Sequence, residues 1–311
     1  MFADMVVFSN YAIQVILAFV LLNMVFVLLP RAQVSARRIL EVISVTPSVQ
    51  DGSGVQVRDK DRGKVEFRDV SFSYPESGEV ISKISFCAEP GSTTAIIGAT
   101  GSGKSTLVQL VPRLYDASSG QVLVDGCDVR DFELHDLHNR IGYVPQTATL
   151  FSGTVESNVA YGEAVESISE KNIERSLDIA QANEFVKKMP GGLNARIEQK
   201  GRNVSGGQRQ RLTIARAIAR NPEILVFDDS FSALDFSTDR ALRQALQDSC
   251  PNTTCLIVAQ RVGSIRHADQ IIVLEHGSMV GKGTHDELMQ TCDVYREIAY
   301  SQLSEEELKH D

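Results

Sequence analysis

Gly98-Ala-Thr-Gly-Ser-Gly-Lys-Ser-Thr106 decides the fold. The stretch fits G-x-x-x-x-G-K-[ST], a loop whose backbone N–H groups cradle phosphates. At ordinary glycine usage, one such match in a chain of this length is roughly a one-in-a-hundred accident, so chance is set aside. The context also fits. An apolar run at Thr93–Ile97 reads as the strand before the loop, and Ser105–Leu114 reads as the helix after it. Gly98, Gly101, Ser102, Gly103, Lys104, Ser105 and Thr106 are therefore nucleotide-binding candidates. Lys104 supplies a point charge between the β- and γ-phosphates, and Ser105 offers its hydroxyl to Mg²⁺. A bland glycine turn before a helix is the weaker reading.

Composition sets outer limits. The 311 residues allow about two domains. A hydrophobic content of 43% is enough for a large core, and a net charge of −9 argues against nucleic acid as a partner. An acidic chain can still hold ATP, because the loop concentrates local N–H dipoles and one lysine. The five cysteines show no metal-ligand spacing and read as reduced thiols of a cytosolic domain.

No charged residue lies between Met5 and Pro30, and Tyr11–Leu29 is long enough to cross a bilayer. No basic region precedes the run and no small-residue cleavage site follows it, so it is not a signal peptide. A buried helix of a soluble protein is the weaker alternative, since the run is too long and too uniformly apolar. Arg31, Arg37 and Arg38 follow at once, which puts the C-terminal side in the cytoplasm. Gln14 and Asn23 lie inside the span, and interhelical hydrogen bonding accounts for them best. Val34–Val45 continues as an amphipathic helix. Thr46–Lys64, rich in Pro, Gly, Ser and Asp, reads as a linker.

Beyond the linker, Val65–Tyr74 alternates with period two as a half-buried strand. Short apolar runs at Gln121–Val124, Ile141–Val144, Ile224–Phe227, Cys255–Val258 and Ile271–Leu274 read as further strands. With helical patterns between several of them, the sum is an α/β sheet built around the phosphate loop. Gly153–Asn203 is mostly helical in pattern and reads as an inserted helical subdomain. Glu275–Ser278 is a hairpin turn, Thr284-His-Asp-Glu287 fits a capping box, and Ser304–Asp311 is a charged tail.

Three further segments carry chemistry. Ile224-Leu-Val-Phe-Asp228 is a hydrophobic strand ending in a carboxylate that can hold Mg²⁺ through water. Gln146 follows the strand Ile141–Val144, where an ordinary loop amide is the plain alternative. Val204-Ser-Gly-Gly-Gln208 is a glycine-rich turn opening a basic helix. Gly206 and Gly207 let backbone N–H groups approach a phosphate, while Ser205 is also a good helix N-cap.

Together the phosphate loop and Ser205–Gln208 resemble the ATP-binding cassette of ABC transporters, with Val204 where leucine is most usual. The resemblance to ABC exporters covers nearly everything from Phe2 to Gln302. It implies an α/β P-loop NTPase of ABC ATPase type with a mixed sheet and an inserted helical subdomain, preceded by a transmembrane helix. The expected domains are the end of an exporter transmembrane domain (1–45, spanning about 5–30), a linker (46–64), the cassette (65–303, helical subdomain about 153–203) and the tail (304–311). One helix cannot make a pathway and the chain starts directly at it, so the arrangement is expected to be an exporter's last helix with the preceding ones missing.

By the same resemblance Tyr74 stacks on adenine, although a half-buried strand aromatic is the plain reading. Gln146 and Asp228 reach Mg²⁺, and Gln146 also reaches the attacking water. Ser205, Gly206, Gly207 and Gln208 cover the ATP of a partner, and Asp235, in Ser232-Ala-Leu-Asp235, communicates across the dimer. ATP and Mg²⁺ are the implied cofactors. The implied partners are a second exporter half, a lipid membrane and a transported small molecule, lipid or peptide. The implied location is the inner membrane, with the cassette in the cytoplasm.

Two positions depart from the family pattern. Asp229 stands where the family has the glutamate that acts as general base. A general base must lie within hydrogen-bond reach of its proton. The arm is shorter by about 1.5 Å, and misplacements near 1 Å can cost about a hundredfold. Gln260 stands where the family has a histidine on the γ-phosphate, and it can donate a hydrogen bond but carry no charge. His267, His276 and His285 do not fill that position. The pattern resembles the degenerate-site subunit of a heterodimeric bacterial exporter, with Asp229, Gln146, Gln260 and Lys104 as the catalytic candidates. A homodimeric exporter with a slow site, or an ATP-binding regulatory module without transport, are the alternatives.

Overall fold

The computed structural model describes residues 2–75, 78–162 and 168–302. The chain divides into two compact units, Met1–Ser48 and Val49–Asp311. The charged tail expected at 304–311 lies outside the described residues.

The first unit is one helix, α1 (Phe2–Ile43), 42 residues long and with no buried residue. At 1.5 Å per residue it is about 63 Å long. Its apolar part reaches a mean hydropathy of 2.7. The stretch expected to leave the membrane as an amphipathic helix continues the same helix without a break. Pro30 lies inside it and withholds one backbone N–H from the ladder. A helix that is apolar all round and buries nothing has lipid or other helices as its natural surroundings.

The second unit begins with a tethered segment rather than a free one. Gly52 N donates to Phe132 O (2.9 Å), Gly54 N to Asp131 O (3.0 Å) and Leu134 N to Asp51 Oδ1 (2.8 Å). A side chain at Gly52 would meet the Asp131 carbonyl carbon at 2.3 Å, so only glycine permits this approach.

Then follow β1 (Val65–Ser73), β2 (Glu79–Ala88), β3 (Thr93–Gly98), α2 (Lys104–Gln109), β4 (Ser119–Val124) and β5 (Cys127–Asp128). Next come α3 (Leu134–Arg140), β6 (Ile141–Val144), β7 (Gly153–Thr154), α4 (Val155–Val159), α5 (Glu170–Ile179), α6 (Asn183–Lys188) and β8 (Arg196–Ile197). The chain continues through α7 (Gly206–Ala219), β9 (Ile224–Asp228), α8 (Phe236–Ser249), β10 (Thr254–Val258), β11 (Gln270–Glu275), β12 (Ser278–Gly283), α9 (His285–Thr291) and α10 (Asp293–Gln302).

The strands form an antiparallel sheet ordered β2-β1-β4-β5 and a central sheet ordered β12-β11-β3-β10-β9-β6. The central pairs are parallel except β11 with β12. The runs in β3, β9 and β10 are apolar without alternation because helices or a second sheet cover both faces. Period two sorts their side chains. Ile96, Val226, Leu256 and Val258 pack with α2 and the antiparallel sheet, around Phe67, Phe86 and Leu107. Ala95, Ile97, Leu225, Phe227 and Ile257 pack on the other face with residues of α4, α5, α7, α8 and α10.

The helix after the phosphate loop is shorter than the pattern predicts. α2 ends at Gln109, followed by turns through Leu114. Pro112 has no N–H to continue the ladder and disfavours helical backbone at Val111. The described residues of the region 153–203 are mainly helical, with one addition: β7 and β8 pair antiparallel, each only two residues long.

An ion cluster around one buried carboxylate staples the antiparallel sheet to the start of β9. Asp125, whose side chain is fully buried, accepts from Gly63 N (2.7 Å) and from Arg140 (2.9 Å). Arg140 also meets Glu223 (3.2 Å), which pairs with Arg62 (2.8 Å). Burial pushes the Asp125 carboxyl up to about 6. A raised carboxyl penalises the fold increasingly as pH rises from the ordinary carboxylate range towards about 6, and the full penalty stands above that value. We therefore expect Arg140→Met to destabilise by about 3 kcal/mol at pH 8, where an unpaired carboxylate must stay buried. The loss should shrink at pH 5, as Asp125 takes up a proton. Denaturant unfolding at both pH values checks this, and equal losses would exclude it.

Candidate functional site

The parallel register aligns the C-terminal strand ends. Val258 lies opposite both Ile96 and Asp228, and Val144 lies opposite Phe227. The phosphate loop, Gln146, Asp228, Asp229 and Gln260 all leave from this edge, where an open α/β sheet presents its crevice.

The loop leaves β3 at Gly98. A side chain there would meet Leu274 O at 2.1 Å, because β11 pairs directly alongside. At Gly103 the backbone is left-handed (φ +93°), and a side chain would come within 3.0 Å of Val80 O. Gly101 and Ser102 complete the turn between them. Lys104 opens α2, and its ammonium donates to Gly98 O (2.8 Å), Ala99 O (2.7 Å) and Ser102 Oγ (3.4 Å). Burial lowers the lysine's pKa, while Asp229 and Asp228 oppose that shift.

Ser105 Oγ donates to Asp228 Oδ1 at 2.6 Å. Tyr143 OH donates to Asp228 Oδ2 at 3.0 Å, and burial holds that phenol well above its usual range. The Ser105–Asp228 pair is a hydroxyl and a carboxylate in contact, the hard oxygen donors that Mg²⁺ takes. No group of three His, Cys, Asp or Glu side chains suited to a metal occurs among the described residues. A cation held here would therefore draw its remaining oxygens from phosphate and water.

Tyr74 follows β1 and is half-buried. Its hydroxyl lies 3.1 Å from Thr106 Oγ1, and its ring stands edge-on to Phe72 (4.8 Å) and Tyr115 (5.3 Å). Two aromatic neighbours and one hydroxyl fix the ring beside the helix that carries the phosphate loop.

Asp229 is the most constrained residue of the site. Its backbone is left-handed (φ +49°), which is uncommon for a residue with a side chain. Its N–H donates to Val258 O (3.2 Å). One carboxylate oxygen, Oδ2, accepts from Gln260 Nε2 at 2.6 Å and from Gln146 Nε2 at 3.2 Å. Burial raises the carboxyl's pKa, and the two amides pull the other way. Three residues that the sequence separates widely thus meet on one atom.

The second glycine segment stands apart from this network. Ser205 caps α7: its hydroxyl accepts from Gln208 N (3.2 Å) while Gln208 Oε1 accepts from Ser205 N (2.9 Å), a complete capping box. A side chain at Gly206 would meet nothing within 4 Å, and one at Gly207 only Ala233 O at 3.5 Å. The packing within this chain therefore gives no reason for two glycines here. Asp235 caps α8, accepting from Thr238 N (3.0 Å) and Thr238 Oγ1 (2.8 Å), and bonds from Ser237 and Thr238 hold its carboxyl well below the usual range. Among the described residues, no hydrogen bond joins Ser205–Gln208 or Asp235 to the phosphate loop.

Tyr143 is a contact the sequence reading missed. Its only signal was its place two residues after Ile141 on the same strand face. His285 bonds Tyr295 (2.8 Å), and His276 sits in the β11–β12 turn with left-handed backbone. Among the described residues, no hydrogen bond given for either histidine joins it to the site. All five cysteines are free thiols.

Comparison with known proteins agrees with this geometry. A family model described as ABC transporter matches residues 81–232. The chain is 44% identical over 302 residues to an uncharacterized ABC transporter ATP-binding protein of Mycobacterium tuberculosis, covering 96% of this chain and 52% of that protein. It is 39% identical over 303 residues to the ATP-dependent lipid A-core flippase of Xanthomonas campestris, covering 97% of this chain and 51% of the flippase. The structure of a bacterial Atm1-family ABC exporter with ATP bound superimposes with a TM-score of 0.85 at 30% identity, over 92% of this chain and 50% of the exporter. The chain spans about half the length of the curated relatives it matches. It carries an ABC transporter ATP-binding domain.

Proposed function

We propose that this chain is the ATP-binding part of an exporter half whose own ATP site hydrolyses slowly and which pairs with a different, faster half. The observation that carries the reading is the double engagement of Asp229 Oδ2 by Gln146 and Gln260. The carboxylate at the general-base position is short, buried and tied to two amides. A base must reach the proton it takes, and this one is drawn away from that task.

In this reading the chain's residues bind and orient ATP. Backbone N–H groups from Gly101 to Thr106 face the phosphates, and Lys104 leaves its loop carbonyls to meet them. Tyr74 offers its ring to adenine. Ser105, Asp228 and Gln146 would hold Mg²⁺, whose charge would neutralise that of the phosphates. Gln260 donates to the γ-phosphate in place of a cation. Gly206, where a side chain would meet nothing within 4 Å, and Gly207, where it would meet only Ala233 O, receive the ATP of the partner half, so Ser205–Gln208 still serves fast chemistry there. Asp235 stands at the start of α8 to meet the partner across the dimer.

The membrane part follows from α1, which exposes its whole apolar surface. With Arg31, Arg37 and Arg38 after the span, the cassette is cytoplasmic and the chain integral to the inner membrane. Closing two cassettes on ATP would drive inward-to-outward switching of the helices around the cargo. The flippase relatives favour a lipid among the small molecules, lipids and peptides such machines could carry.

One observation favours a second reading, a homodimer with a slow but competent site. Burial raises the pKa of Asp229, and a raised carboxyl is a stronger base. In that case turnover is retained above the raised pKa and falls as pH drops through it.

Mg-ATP turnover measured beside ATP binding separates the two. Under the leading reading, wild type binds tightly with negligible turnover, and Asp229→Glu with Gln260→His restores at least tenfold. Brisk wild-type turnover, lost with acid in the sense above, would support the homodimer and sink the heterodimer. For the adenine contact we expect Tyr74→Ala to weaken nucleotide binding by about tenfold, since base–aromatic stacking is worth about 1–3 kcal/mol. Tyr74→Phe, which keeps the ring, should lose far less. Equal losses in a titration with a fluorescent ATP analogue would assign the effect to the hydroxyl instead.

A further inference from the structure

We propose that Gln302, at the end of α10, is a positioning residue for Gln260: it holds the main chain on both sides of Arg261 and thereby sets the preference of the site for ATP over ADP. The proposal rests on the reading of Gln260 as the γ-phosphate contact.

The Gln302 side chain uses both ends of its amide. Its Nε2 donates to Gln260 O at 2.7 Å, and its Oε1 accepts from Val262 N at 2.9 Å. The clamp falls just past the end of the sheet. Parallel pairing of β10 ends at Val258, and Ala259 N donates to Ile96 O at 3.1 Å. Gln260 and Arg261 are exposed, so burial does not hold them. Beyond them Val262 and Ile265 are buried in the core, and Ser264 is tied to α8, its carbonyl accepting from Arg243 (2.6 Å) and its hydroxyl donating to Asp239 (2.9 Å), so the clamp spans two exposed residues between anchored ones.

The other end of the clamp is carried by a helix seated in the core, with Gln302 itself exposed at its end. Tyr295 and Ala299 of α10 are wholly buried in the core on the helix side of the central sheet. Residues 295, 299 and 302 follow the i, i+4, i+7 spacing of one helix face. Gln302 is thus the polar end of a buried stripe, carried by a helix seated in the core. From it a continuous path runs through the Gln260 main chain to Gln260 Nε2, and on to Asp229 Oδ2 at 2.6 Å. Displacing the Gln260 backbone moves the amide that faces both Asp229 and the position of a terminal phosphate. ADP lacks that phosphate, so its binding does not depend on the clamp.

The test measures ATP and ADP affinities of the full chain in detergent, with wild type, Gln260→Ala, Gln302→Ala and the double variant. Each single variant should lower the ATP-to-ADP affinity ratio about three- to tenfold, the value of about one lost hydrogen bond, with ADP affinity unchanged. The double variant should fall no further than Gln260→Ala alone, because both act through one amide. A wild-type ratio in Gln302→Ala beside a lowered one in Gln260→Ala would overturn the positioning role and leave the γ-phosphate reading standing. No change in Gln260→Ala would remove that reading and the proposal with it. Parallel loss of ATP and ADP binding in Gln302→Ala, or additive losses in the double variant, would make Gln302 a structural peg only.

Discussion

Parallel pairing of β3, β10, β9 and β6 puts four strand ends on one edge, and the chemistry of the second unit hangs on that alignment. A parallel ladder fixes register once its apolar faces are buried, since a slip of one residue would exchange the two faces. Here both faces are buried, by Ile96, Val226 and Leu256 on one side and by Ile97, Phe227 and Ile257 on the other. The register therefore cannot drift. Ser105 and Asp228, 123 positions apart in the chain, are brought to 2.6 Å by it.

The same edge imposes a conflict on Asp229. Burial disfavours its ionised form, while two amides on one oxygen favour it. The outcome is an acceptor pinned by neighbours rather than a carboxylate free to swing. A glutamate would extend past this point by one methylene. The aspartate instead ends within reach of Gln146 and Gln260, so shortening the arm changes what the group can touch as well as how far it reaches. The left-handed backbone at Asp229 adds to the constraint, because it fixes the direction in which the short side chain departs.

The parts of the fold that were legible in sequence have a common cause. β3, β9 and β10 stood out as apolar runs because both of their faces are covered. The N-cap at Ser205 and the capping box at Thr284 were readable because a cap satisfies N–H groups within three residues. The illegible parts lack such a signature. β12 is an edge strand whose residues alternate between half-buried and exposed, and it contains Gly281 and Gly283. β7 and β8 are two residues each, too short for any period. The overlong helix after the phosphate loop was read through Pro112, whose missing N–H ends the ladder before it. Thr46–Lys64 has the composition of a linker, yet from Val49 onward it belongs to the second compact unit, with Gly52 packed directly on Asp131.

Sequence alone determined what short-range forces decide: the phosphate loop, the apolar span of α1, the helix caps and the identity of the two unusual residues, Asp229 and Gln260. Tertiary structure alone decided the company each keeps. Gln146 and Gln260 meet Asp229 across 83 and 31 positions of chain, Tyr143 reaches Asp228 across 85, and Gln302 clamps a loop 42 positions before it. A turn or a cap satisfies its backbone groups within a few residues, so its rule is written locally. The partners of a buried carboxylate are set by which strand ends the sheet aligns, and that depends on the packing of the whole core.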